Sequence, residues 1–66
     1  METSAIEVGQ RFQAVGTYES RVWEVEDIYT AAHNVVHAKL RDVGDIATYR
    51  TLAPEALLDT SRFRAL

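Results

Sequence analysis

Residues 25–43, VEDIYTAAHNVVHAKLRDV, read in two ways, and the choice decides what the chain can fold into. Read as a helix, Val25, Ile28, Tyr29, Ala32, Val36, Leu40 and Val43 recur at spacings of three and four and form one apolar stripe. Glu24, Glu26 and Asp27 then stand at the N-terminal end, Lys39 and Arg41 near the C-terminal end, as the helix dipole prefers, and Gly44 is a natural cap. Read as strands, VWEVEDIY and NVVHAKL are rich in β-branched and aromatic residues. TAAHN becomes a hairpin loop with Asn34 at a turn position. The second strand runs over residues 35–43, with Val36, Ala38 and Leu40 inward and Val35, His37, Lys39 and Arg41 outward. Periodicity supports both: a hairpin within an all-β fold, or an α+β fold with a helix near 26–43.

The flanking sequence is less divided. Residues 1–5 read as a frayed lead-in, and from Val8 the chain alternates, with Phe12 set among polar residues as in a half-buried strand. GTYES is a loop in which Gly16 is free to take positive φ. In RVWEVEDIY, Trp23 and Val25 alternate with Glu24 and Glu26, but the next apolar residue, Ile28, comes three after Val25. That break predicts a β-bulge at Glu26 and Asp27. Gly44 and Asp45 make a turn, IATYRTL a further strand, and Pro54 opens a single helical turn over residues 54–58. SRFRAL ends the chain as a short strand with Phe63 inward. The expected core is Val8, Phe12, Trp23, Val25, Ile28, Val36, Leu40, Leu52, Leu57, Leu58 and Phe63.

Five short strands with one helical turn before the last is the layout of an SH3-like small barrel. VGQRFQAVG, VWEVEDIY, HAKLRDV, TYRTL, ALLD and RFRAL, in that order, resemble a group of short uncharacterised bacterial proteins over roughly residues 8–66. In that group a hairpin loop of variable length precedes the segment matching His37, Ala38 and Lys39, and a loop that changes length does not fit one continuous helix. The resemblance implies a compact β fold and no particular activity.

Length and composition narrow the function. A chain of 66 residues is expected to form one domain, burying about 60% of its unfolded surface, and a deep water-excluding cleft is hard to build at that size. No catalytic role and no cofactor are therefore expected. With no cysteine there is no disulfide, thiolate metal site or cysteine nucleophile. METSAIEVGQ lacks the basic start and apolar run of a signal peptide, and no stretch approaches the ~20 apolar residues of a bilayer span, so a cytoplasmic protein without a membrane partner is expected. The formal net charge of −3 disfavours non-specific binding to nucleic acid. The expected partner is a protein, and exposed strand edges leave a homodimer open.

Candidate site residues follow from these elements. His33 and His37 grip one metal only on a helix; on a strand they stand about 13 Å apart. No metal site is expected, since HNVVH lacks the intervening glutamate of the zinc-protease pattern and the chain has no cysteine to add a third ligand. Glu24 and Glu26 are expected on an exposed face opposite Lys39 and Arg41, setting register rather than exchanging protons. Arg11, His37, Lys39, Arg41, Arg62 and Arg64 fall on strands; if the first and last strands are neighbours, Arg11, Arg62 and Arg64 cluster. With Tyr18, Tyr29 and Tyr49 they make the candidate binding surface, for a protein or, as the alternative, for RNA or DNA through stacking and phosphate contacts.

Overall fold

The computed structural model describes residues 6–16 and 21–66. The contested segment is a hairpin. Strand β2 covers Val22–Thr30 and β3 covers Val36–Asp42, joined by a tight turn over Ala32–Asn34. The helical alternative over 26–43 is thus overturned. Its apolar stripe is real in the sequence, but two residues at the turn have left-handed backbone, His33 at φ 62 and Asn34 at φ 60, and no helix passes through them. Two successive left-handed residues are the signature of the primed turns whose twist matches a hairpin. The turn is closed by the Ala31 N–H donating to the Val35 carbonyl at 2.7 Å.

The other elements are β1 (Arg11–Ala14), β4 (Asp45–Leu52), one turn of helix α1 (Pro54–Leu57) and β5 (Phe63–Ala65). All five strands form one antiparallel sheet in the order β4-β3-β2-β1-β5. The fold is therefore mainly β, with the helical turn before the last strand returning the chain from the β4 edge to β1.

The bulge falls where the alternation breaks. Val25 lies opposite Leu40 and Asp27 opposite Lys39, so Glu26 is the extra residue of β2. It resets the phase: Trp23 and Val25 face the core before it, Ile28 after it. The buried core is Ile6, Phe12, Trp23, Val25, Ala38, Leu40, Leu57 and Phe63, with Ala14, Ile28 and Leu52 packed at its margin. The strands supply it by period two, Pro54 fixes the first helical residue, and α1 then buries Leu57.

Three expected core residues lie outside it. Val8 is 61% exposed, because residues 7–10 form a turn in place of a strand: the Gln10 N–H donates to the Glu7 carbonyl at 3.1 Å, and Gly9 has φ 94. That bend aims Val8 outward and brings Ile6 into the core. Val36 is exposed because it opens β3 opposite Thr30, beyond the reach of the core. Leu58 is exposed because a single helical turn has only one inward leucine position, which Leu57 takes. Gly16 has φ 77 as expected; residues 17–20 of that loop, Tyr18 among them, and residues 1–5 lie outside the described residues.

Two stability outcomes follow. Leu40 is fully buried, so Leu40→Ala should cost about 2–5 kcal/mol in urea unfolding, close to the whole stability expected of so small a domain. His33→Gly should raise stability by about 0.5–1 kcal/mol, since glycine removes the steric cost of the left-handed backbone at the turn while adding some chain entropy to the unfolded state.

Candidate interaction surface

Residues opposite one another in antiparallel strands share a face. The outer face is therefore read from the register: His37, Lys39 and Arg41 on β3; Tyr29, Asp27 and Glu24 opposite them on β2; Thr51 and Tyr49 opposite Lys39 and Arg41 on β4. Arg11 continues the row beyond Glu24 on β1. The inner partners of these residues are Ala38, Leu40 and Asp42, all buried.

Acids and bases are interleaved on this face, with Glu24, Glu26 and Asp27 among Arg11, Lys39 and Arg41. Glu26, thrown outward by the bulge, takes Lys39 at 3.7 Å and Arg41 at 3.6 Å. Arg11 meets Glu24 at 3.5 Å. The acids and bases expected to oppose each other across the hairpin do so. Exposed pairs of this kind contribute about 0–1 kcal/mol each, and their larger effect is on register.

The aromatic residues are held by the same cross-strand pairing. The rings of Tyr29 and His37 lie 5.8 Å apart, tilted by 43°. The Lys39 ammonium stands 4.5 Å from the centre of the Tyr49 ring, a cation–π contact. His37 Nδ1 is shut away from solvent with no hydrogen-bond partner, so on that side packing alone holds the ring. His33, at the hairpin tip, is exposed and separate from His37. Among the described residues no group of three or more metal-ligating side chains comes together.

The remaining candidates sit elsewhere. β1 and β5 are neighbours, as expected, and Arg64 lies opposite Gln13, donating to its side-chain carbonyl at 2.5 Å. Arg11 and Arg64 are thus diagonal neighbours on one face. Arg62 precedes β5 and lies 6.0 Å from the centre of the Phe63 ring. Sequence reasoning passed over Arg50 and Asp42. Arg50 is opposite buried Leu40 and so falls on the core side of β4, where an arginine in the alternation IATYRTL breaks the pattern. Asp42 is 5% exposed; its Oδ1 accepts the Gly44 N–H at 2.8 Å and its Oδ2 accepts from Arg21 Nη1.

The sheet edges are β4 and β5. β5 has three residues. Along β4 the pairing jumps from Arg41–Tyr49 to Asp42–Asp45, so residues 46–48 are thrown out of the ladder. The Asp45 carboxylate holds that excursion, accepting from the Ala47 N–H at 3.2 Å and the Thr48 hydroxyl at 2.8 Å. A short edge and an interrupted edge both resist addition of another strand.

Protein-family models, characterised proteins and solved structures were compared with the chain, and none matches. No helix among the described residues is long and apolar enough to cross a membrane.

Two exposed aspartates carry a pH signature. The Thr48 hydroxyl, then the Ala47 N–H, hold the Asp45 carboxyl below its ordinary 3.8, and the Ser61 hydroxyl and N–H do the same for Asp59. A depressed folded value means that the stabilisation is present above the unfolded value and is lost as pH falls through the folded one. Side-chain carboxyl NMR titration should therefore place both midpoints below 3.8, and the Ala47 and Ser61 amide signals, whose N–H groups donate to these carboxylates, should move with them.

Proposed function

We propose that the protein is a non-catalytic interaction module of the SH3-like kind, working in the cytoplasm, that binds a protein partner across the outer face of β2, β3 and β4. One observation carries the reading. Tyr29 and Tyr49 are 39% and 48% exposed, and each is already positioned, by His37 and by Lys39. A pre-held tyrosine offers a large amphipathic contact and loses little side-chain freedom when a partner covers it. Around these rings the charges are neutralised locally, so a partner meets a face that is polar at its rim and free of strong net field.

The alternative, a nucleic-acid-binding module, has less in its favour. Of seven lysines and arginines, Arg11, Arg21, Lys39 and Arg41 are paired with carboxylates. A phosphate backbone would have to displace those acids before it released counterions.

The test uses the whole chain as bait in its native cell extract. It should retain one stoichiometric protein at low salt, and the double variant Tyr29→Ala, Tyr49→Ala should lose that protein while keeping its unfolding free energy within about 1 kcal/mol of the parent, since both rings are surface residues. A blank capture at low salt overturns the reading. Tight, steeply salt-dependent binding to mixed oligonucleotides would replace it with the nucleic-acid alternative.

A further inference from the structure

Three arginines remain without a carboxylate partner among the described residues: Arg50, Arg62 and Arg64. Arg64 is satisfied in part by Gln13. Arg50 and Arg62, on either side of the helical turn, line one cleft of about 160 Å³ between β4 and the β1–β5 pair, together with Ala14, Val15, Ser61 and Phe63. In a chain of net charge −3 whose other cations are almost all matched, two unmatched guanidinium groups at one cleft set a local positive potential.

The local acid does not use them. Asp59, three residues before Arg62, makes no ion pair with it, and its Oδ1 accepts both the Ser61 hydroxyl at 2.6 Å and the Ser61 N–H at 3.0 Å. The backbone offers nothing further: the Val15 N–H is spent on the Arg62 carbonyl at 2.8 Å. The cationic groups lining the cleft are those of Arg50 and Arg62.

We propose that this cleft receives a carboxylate of the partner polypeptide, an aspartate or glutamate side chain or a C-terminus, with Arg50 and Arg62 as its ligands. The inference rests on the protein-partner reading and names the chemistry the partner must carry. Size selects the occupant. The volume matches about five waters and lies below the roughly 300 Å³ at which sites for whole small molecules begin. It suits a carboxylate on its aliphatic stem, with Ala14, Val15 and Phe63 as the apolar wall for the stem, better than a whole nucleotide. Charge selects against a nucleic-acid strand as well: successive phosphates need a track of free cations, and beyond this cleft every lysine and arginine but Arg64 is paired with a carboxylate. Arginine supplies a planar fork of donors that suits a carboxylate.

The test is a titration of the full 66-residue chain, followed by NMR at the arginine Nε–H and backbone amide signals. The probes are hexaglutamate, hexaglutamine, inorganic phosphate and a ten-residue thymidine oligonucleotide. Hexaglutamate should shift Arg50, Arg62, Val15 and Phe63, and hexaglutamine should not. Arg50→Gln and Arg62→Gln should each weaken hexaglutamate at least about tenfold, the loss expected for a charge-assisted contact, while Arg11→Gln, whose guanidinium faces Glu24, should leave it unchanged. The proposal is overturned if Arg11→Gln weakens binding as much, if phosphate shifts the cleft and hexaglutamate does not, or if the oligonucleotide binds more tightly than hexaglutamate. The two readings also separate: an extract protein still held by Arg50→Gln, Arg62→Gln with unchanged affinity overturns the carboxylate site and leaves the outer-face surface standing, whereas hexaglutamate bound at the cleft with nothing captured from extract does the reverse.

Discussion

The architecture turns on Val25 and the residue after it. Val25 is fully buried, its N–H donates to the Gln10 carbonyl and its own carbonyl accepts from the Gly9 N–H, both at 2.8 Å. It thereby ties the N-terminal turn to the sheet at the point where β2 changes partners. Before Val25, β2 pairs with both β1 and β3; beyond the bulge it continues with β3 alone. A flat nine-residue strand could not cover one core with both halves. The extra residue bends the strand, so that Trp23 packs beside Phe12 while Ile28 reaches Ala38, and apolar residues of both halves face one small interior. The same residue, Glu26, is sent outward, where it organises Lys39 and Arg41. One insertion in the alternation thus shapes the core and sets the charge pattern of the opposite face.

Asp42 is the second constraint and works differently. It faces inward opposite Trp23, where an aliphatic residue would continue the row of Ala38 and Leu40. Its two oxygens are divided between the Gly44 N–H and the Arg21 guanidinium, so the charge is neither bare nor unbonded. Such a group adds little to stability over an apolar substitute, but it is costly to leave unpaired. Its effect is on geometry: it fixes the start of the β3–β4 turn and pins Arg21, the residue before β2, to that turn.

These devices differ in how far the sequence discloses them. The bulge was legible because an alternation that slips by one residue has a single structural meaning in a strand. The turn was legible in Asn34, whose tolerance of left-handed backbone is a local property. The ion pairs of the outer face follow from strand pairing and were legible once β2 and β3 were taken as a hairpin. Ile6 was not, because its burial depends on a bend at Gly9 that carries Val8 outward, and alternation cannot see a bend. Asp42 was not, because nothing local separates a buried aspartate from a turn aspartate: its partner Arg21 is brought in by tertiary structure. Arg50 and Arg62 are twelve residues apart in sequence, with a helical turn between them, so their shared cleft exists only after β4 and β5 are placed.

A scaffold this small has little surface to specialise, and its charges divide into those committed to the sheet and those that are not. Each base matched to an acid across strands is committed to register, and its exchange for a ligand would loosen the pairing that defines the sheet. Bases at the strand ends carry no such duty. Arg50 and Arg62 flank the helical turn, where no opposite strand supplies a carboxylate, so their charge can be given to another molecule without cost to the fold. The tyrosines follow the same logic: the Tyr29 ring is held by His37 and the Tyr49 ring by Lys39 while substantial area of each stays exposed. On the proposed reading, recognition uses groups that the sheet positions but does not consume: aromatic contact along the outer face, and Arg50 and Arg62 for an anionic group of the partner.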